Sequence, residues 1–424
     1  MPTVEVPYHN QRVACTVPDA RCLGVLAPKE LPRTTPEQQV EIVRAALQAP
    51  IQSRPLHELS MGKTRILVIT SDHTRPMPSA VTMPLLLREI RRGAPQAQVH
   101  ILIATGFHRA MTQDEIVQRF GREIAQRETI LVHDGRDMQQ MVYKGVMPSG
   151  GELWLNKEVD WADLIVSEGF IEPHFFAGYS GGRKSILPGI ASQKTVFFNH
   201  NAEFIADDKA RIGVLEGNPI HRDMEFAAKQ AGLAFILNVC LNDQKQIVRA
   251  FAGDPFEAHA VGCAFVADQA RTQKVEADIV VTGNGGAPLD LNIYQAVKCM
   301  SGAEPCVREG GVIIALCSCY DGHGSEGFYA LFRDHHTPQA VEAAILDRGR
   351  DGTMPDQWQA QVLARVMKKA QIILVTDQCD PQLIEQFGIR HAGSFEAAMD
   401  MADAIVGKSG KVLFIPNGVE VMAQ

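Results

Sequence analysis

The sequence predicts an α/β protein of two domains, with mainly parallel sheets and a site in the cleft between them. Three observations carry this reading. Short apolar runs alternate with longer amphipathic stretches, the pattern of strands joined by crossover helices. The strand candidates are continuously apolar rather than alternating, as expected of strands covered on both faces. Polar loops rich in Gly, His, Arg or Asp follow four of them, and open α/β sheets bind ligands beyond the carboxyl ends of their strands. A length of 424 residues accommodates two or three domains, each able to bury a core.

Taken in order, RILVIT (Arg65–Thr70) reads as the first clear strand and QVHILIA (Gln98–Ala104) as the second, with a helix over Ala80–Arg92 between them. DLIVS (Asp163–Ser167) and DIVVT (Asp278–Thr282) follow. GVIIALC (Gly311–Cys317), QIILVT (Gln371–Thr376) and VLFIP (Val412–Pro416) complete the set, with a helix at Pro338–Leu346. Phe256–Val275 reads as one long helix, with Pro255 near its start and a fresh strand after it. The domain change is therefore placed there. Residues 1–262 are expected as an N-terminal α/β domain, 263–275 as a linker helix and 276–410 as a C-terminal α/β domain. Residues 411–424 form a tail whose return to the first domain the sequence leaves open. No solenoid-like repeat or low-complexity tract is present.

Composition narrows the function classes. Lys+Arg number 41 against 49 Asp+Glu, a formal net charge of −8 that argues against nucleic acid as a partner. With 46% hydrophobic and 21% charged residues the chain reads as folded rather than disordered. No apolar run approaches the ~18 residues of a membrane span, and the N-terminus lacks a signal-peptide pattern, so no membrane association is expected. The 9 cysteines include no CxxC pair, hence neither a zinc ribbon nor a disulfide framework is legible, and a cytoplasmic location is the expectation.

The four polar loops are SDHTRPMPS (Ser71–Ser79), TGFHRAMT (Thr105–Thr112), EGFIEPHFFAGYSGGRKSILPG (Glu168–Gly189) and GNGGAPLDLNIYQAVK (Gly283–Lys298). Lying at one sheet edge, they point to a single composite site. GYSGGRKS (Gly178–Ser185) has Arg183 where a nucleotide-triphosphate loop needs Gly, which argues against such an enzyme. Gly181 and Gly182 still free the backbone to approach a ligand, and Arg183 and Lys184 offer two cations; a tight turn with a solvated basic pair is the alternative. GNGG lacks the third glycine of the dinucleotide fingerprint. A lone histidine is more often structural than catalytic. His108, His174 and His200 on adjoining loops favour acid/base or metal-binding work, because imidazole titrates near neutrality. Asp72, Thr74 and Arg75 share a loop with His73. Arg75 offers a planar fork to a carboxylate, while Asp72 could simply cap the next helix. Tyr294, Gln295 and Lys298 fall within about one helical turn, a spacing that also fits a solvated face. Trp358 more often belongs to a core.

Together these residues resemble the nickel-dependent lactate racemase family. The matching strings are SDHTRP (Ser71–Pro76), GFHR (Gly106–Arg109), EPHFFAGYSGGRKSILPG (Glu172–Gly189), His200 and YQAVK (Tyr294–Lys298). The resemblance runs through essentially the whole chain, and the Glu172–Gly189 string is its most specific part. It implies an isomerase, a racemase or epimerase of a 2-hydroxy acid with lactate as the default substrate. It implies as cofactor a nickel-bearing pyridinium-3,5-bisthiocarboxylic acid mononucleotide, the nickel-pincer nucleotide, tethered to Lys184 through a thioamide. His200 then completes the nickel coordination, and His108 and His174 become paired acid/bases. Asp72, His73, Thr74 and Arg75 lie at the cofactor, Arg75 also near the substrate. Gln295 and Lys298 reach the substrate carboxylate, and Tyr294 and Trp358 line the pocket with Phe176 and the Gly322–Phe328 loop. Cofactor-building enzymes are the implied maturation partners.

The chemistry accounts for these residue types. Hydride leaves C2 of a 2-hydroxy acid only if a base takes the hydroxyl proton, and racemisation uses one base for each enantiomer. Two alternatives stand beside this reading. One is an epimerase of a larger 2-hydroxy acid, such as malate or a sugar acid, with the same cofactor. The other is an NAD-dependent 2-hydroxy acid dehydrogenase, disfavoured by the missing glycine.

Overall fold

The computed structural model describes residues 2–106 and 109–424. The continuously apolar runs are strands, and among the described residues they form two six-stranded sheets. The order in the first sheet is Ile247–Gly253, Leu233–Leu241, Leu164–Phe170, Arg65–Ser71, Gln98–Ala104 and Thr129–Val132. Only the edge strand Ile247–Gly253 pairs antiparallel. The second sheet is wholly parallel, in the order Arg390–Ala392, Gln371–Val375, Val307–Leu316, Ala277–Gly283, Val412–Ile415 and Cys22–Val25.

Burial on both faces explains the unbroken apolar patterns. In Arg65–Ser71, Ile66 and Val68 pack under the helices Pro36–Gln48 and Ser79–Gly93. Leu67 and Ile69 point the other way, into a cluster that continues to Val280 and Ile313 of the second sheet. The two domains thus share one apolar core. The helix Gln357–Lys369 also crosses between them, where Gln361 Nε2 donates to the Ala202 carbonyl at 2.7 Å.

The domain boundaries differ from expectation at both ends of the chain. Cys22–Val25 pairs with Val412–Ile415, and the hairpin Thr3–Tyr8/Gln11–Thr16 buries Val6, Tyr8 and Cys15 against the second sheet. Residues 1–262 are therefore not a single unit. The start of the chain belongs with the second sheet, whose outer face offers its apolar side chains cover. Val412–Ile415 is likewise no returning tail but an interior strand, paired on both sides. Only Met422–Ala423 turns back, pairing with Arg271–Thr272 and placing Met422 beside Ile171 and Tyr179. The linker helix is Glu257–Ala270, ended by the extended Arg271–Thr272.

In the first sheet the chain passes from Arg65–Ser71 to one side and later returns on the other as Leu164–Phe170. The loops after these adjacent strands diverge and leave a crevice, the usual ligand position in such a sheet. Among the described residues no helix is long and apolar enough to cross a membrane.

Candidate functional site

A cavity of about 460 Å³ opens at that crevice and is walled by both domains. Asp72, Arg75, His174, Lys184 and His200 line it from the first, and Tyr294, Gln295, Lys298 and Trp358 from the second. His73 and Thr74 are not among the lining residues; Thr74 shapes the turn by donating its N–H and hydroxyl to Asp72. His108 lies outside the described residues.

The glycine-rich turn sets Lys184. Gly181 has φ +78°, and a Cβ there would meet Asn238 Oδ1 at 2.6 Å, so only glycine fits. The same oxygen accepts the Gly182 N–H at 2.8 Å, which fixes the turn. Arg183 corrects the idea of two cations facing a ligand. It is 2% exposed and turned inward, donating to the Ala177 and Tyr179 carbonyls at 2.8 Å and to His221 Nδ1 at 3.0 Å. Lys184 alone faces the cavity.

Lys184 Nζ sits 3.2 Å from His174 Nε2 and 5.8 Å from the centroid of Phe176. His174 Nδ1 accepts the Ala177 N–H at 3.2 Å, so the neutral ring carries its proton on Nε2. That proton finds an acceptor only if the Lys184 amine is neutral. Loss of hydration, then Arg183, Arg75 and Lys298, holds the Lys184 pKa well below the ordinary lysine range. The His174 pKa is also depressed, by burial first and then by Lys184, Lys298 and Arg75. Desolvation outweighs the neighbouring positive charge.

His200 follows the helix Gln193–Asn199, and its backbone N–H closes the last turn on the Val196 carbonyl at 2.8 Å. Its ring lies edge-on between Phe176 and Trp358, at centroid distances of 5.1 and 5.3 Å. A helix C-terminus favours imidazolium by up to ~2 kcal/mol, but burial wins and lowers the pKa to about 3. Among the described residues its buried Nδ1 has no hydrogen-bond partner. A neutral imidazole with a free lone pair is what a metal ligand requires. No three His, Cys, Asp or Glu side chains converge among the described residues, so a metal held here would draw most of its ligands from a bound organic group.

On the opposite wall Asn292 caps the helix Ile293–Ala303 by accepting the Gln295 N–H, which directs Tyr294 and Lys298 into the cavity on one face. Burial and Arg75 lower the Lys298 pKa to about 8, leaving it cationic at neutral pH. The Trp358 indole donates to the Tyr294 hydroxyl at 3.2 Å, and that hydroxyl donates to Asp356 at 3.1 Å.

Two supporting residues escaped the sequence reading. Arg119 grips the Asp72–Met77 loop through the carbonyls of Asp72 (2.5 Å), Arg75 (2.8 Å) and Met77 (3.2 Å). Nothing marks it in sequence, since an arginine on an amphipathic helix reads as surface. Asp72 accepts both the N–H and the hydroxyl of Thr74, so it caps its own turn rather than the following helix. Beneath that loop the fully buried Glu168 accepts hydroxyls from Thr70, Ser79 and Thr82 at 2.5–2.6 Å. A signal existed here, because a carboxylate ending an apolar strand needs partners.

Comparison with known proteins agrees with this geometry. The lactate racemase N-terminal domain family matches residues 8–213, and the lactate racemase C-terminal domain family matches residues 272–423. A lactate racemase of Thermoanaerobacterium thermosaccharolyticum is 49% identical over 100% of both chains. One of Lactiplantibacillus plantarum is 45% identical over the same full span. The solved structure of the T. thermosaccharolyticum lactate racemase apoprotein superimposes with a TM-score of 0.96 over 100% of both chains. A Thermotoga maritima protein at 18% identity and a TM-score of 0.66 shares the fold, covering 91% of this chain and 97% of its own.

Proposed function

Because the chain belongs to the lactate racemase family, we propose that it interconverts the two enantiomers of lactate with a nickel-pincer nucleotide tethered to Lys184. The observation that supports this most directly is the pairing of Lys184 with His174, across Phe176 from the unpartnered Nδ1 of His200. A thioamide forms only from an uncharged amine, and the surroundings of Lys184 favour that state. His200 is the residue suited to hold nickel.

When bound, the group supplies a pyridinium ring able to take up a hydride from C2 and give it back. The chain's own residues do the rest. Arg75 and Lys298 hold the substrate carboxylate while the other substituents turn. His174 presents its Nε2 proton to the cavity for return to the substrate oxygen, and taking up the hydroxyl proton there requires the other tautomer, in which Nδ1 gives up the Ala177 N–H. His108 carries the same duty for the other enantiomer. The phenyl ring of Phe176 and the indole of Trp358 shield the reacting centre from water.

Intact-mass and nickel analysis of protein matured in its own host, beside a racemisation assay run in both directions, tests this reading. The expected result is a covalent increment on Lys184 and turnover of both enantiomers, each lost in Lys184→Ala. Undiminished racemisation by Lys184→Ala would overturn the tether.

A further inference from the structure

Asp356 is placed oddly for its position in the fold. It immediately precedes the helix Gln357–Lys369, where an aspartate normally caps the first turn, yet its side chain makes no capping bond. Its backbone is left-handed, with φ 64° and ψ 4°, a conformation an aspartate tolerates but does not prefer. The side chain turns to the cavity wall instead. There Oδ1 accepts the Tyr294 hydroxyl at 3.1 Å and Oδ2 accepts the Ser325 hydroxyl at 2.6 Å. Among the described residues no cation is paired with it. Its charge is felt nearby: the Tyr294 phenol is pushed well above the ordinary range by burial and then by Asp356.

Tyr294 and Lys298 stand one helical turn apart on the same face. Tyr294 and Asp356 line the same cavity as Lys298 and Arg75, so the C3 substituent of a 2-hydroxy acid whose carboxylate rests on those two cations shares that space with them. The polar atoms at that end are already engaged. The indole N–H of Trp358 is given to Tyr294, and the hydroxyls of Tyr294 and Ser325 are given to Asp356. A methyl group meets aromatic faces and loses nothing. A polar substituent finds the Trp358, Tyr294 and Ser325 donors already given away, and a second carboxylate meets the Asp356 carboxylate.

We propose that Asp356 is the specificity-determining residue of this cavity, a carboxylate that restricts it to 2-hydroxy monocarboxylates with a small apolar substituent and rejects 2-hydroxy dicarboxylates. This rests on the racemase reading above, and it adds a selecting residue that acts on the substrate's far end rather than on the reacting atoms.

The test is the ratio of kcat/KM for malate to that for lactate, measured on the matured holoenzyme. Asp356→Asn keeps an acceptor for Tyr294 and removes the charge; the ratio is expected to rise ~10-fold or more. Asp356→Gly suits the left-handed backbone, guards against misfolding of the first variant, and is expected to raise the ratio as well. Tyr294→Phe retains the charge but frees the Trp358 indole N–H, so its ratio should rise less than that of Asp356→Asn. An unchanged ratio in both Asp356 variants, with native thermal melts, would overturn the assignment, as would a wild-type enzyme that turns over malate as readily as lactate. Matured protein that racemises no 2-hydroxy acid at all would instead remove the racemase reading itself.

Discussion

Lys184 and Arg183 are adjacent cations with opposite fates, and the difference is decided by what each finds within a few ångströms. Arg183 gains two backbone carbonyls and a histidine nitrogen, which replace its lost water. Lys184 gains no anion close enough to offset its desolvation, so the neutral form is favoured. The apoprotein should therefore modify selectively: a small acylating reagent at neutral pH is expected to label Lys184 ~10-fold faster than exposed lysines. Peptide mass mapping checks this, and equal labelling would show the amine to be charged. His174→Ala should cost about 100-fold or more in racemisation in both directions, since a full cycle uses both bases. Steady-state assays from each pure enantiomer read that loss. The convergence of Lys184, His174 and His200 on one cavity was legible from the loops that carry them. The inward turn of Arg183 was not, because two neighbouring cations look alike until the carbonyls that capture one of them come into place.

Elements support the site through buried polar contacts that apolar periodicity does not reveal. Arg119 joins the helix Gln113–Phe120 to the loop carrying Asp72 and Arg75. Arg119→Met should loosen that loop and cost about 1.5–3 kcal/mol, the scale of a charged hydrogen bond, as read from denaturant unfolding. His133 ties the loop after Thr129–Val132 to the segment that follows the glycine-rich turn. Its Nε2 donates to the Ala191 carbonyl at 3.0 Å and its Nδ1 accepts from Asn156 at 3.2 Å, a neutral tautomer on both counts. Burial lowers its pKa to about 4, whereas in the unfolded chain the ring protonates near the ordinary value of about 6.5. Between those values the unfolded state binds the extra proton. Stability from His133 is therefore complete above the unfolded value and is lost as pH falls toward 4, by up to about 3 kcal/mol. Melting temperature followed from pH 7 to 5 should fall less steeply in His133→Gln than in wild type. An identical slope would count against this account. The strands themselves were legible because each is continuously apolar. The terminal segment Cys22–Val25 was not, since its residues alternate between exposed and half-buried and its partner lies far along the chain.

At the scale of the whole molecule, the site exists because two sheets share a core. Arg75, His174, Lys184 and His200 come from one domain, and Tyr294, Lys298, Asp356 and Trp358 from the other. The α/β class and the cleft followed from strand pattern and loop chemistry alone. The assignment of the first twenty-five residues to the second sheet did not, because nothing local records a pairing across almost the full length. The cavity between the domains also bears on the reaction. If hydrogen moves as hydride, lactate racemised in heavy water should keep its C2 hydrogen. Proton NMR of the product measures this, and full incorporation of deuterium would replace hydride transfer by proton abstraction.

The Cys22–Val25 strand is held by Val412–Ile415, roughly 400 residues later. During synthesis at roughly 5–20 residues per second, the leading segment must wait tens of seconds for that partner to leave the ribosome. Until the second sheet assembles, Val6, Tyr8 and Cys15 also lack the strands that cover them. The newborn amino end is consequently the portion most in need of chaperone protection, and a stop codon shortly before Val412 would leave Cys22–Val25 an unpaired edge.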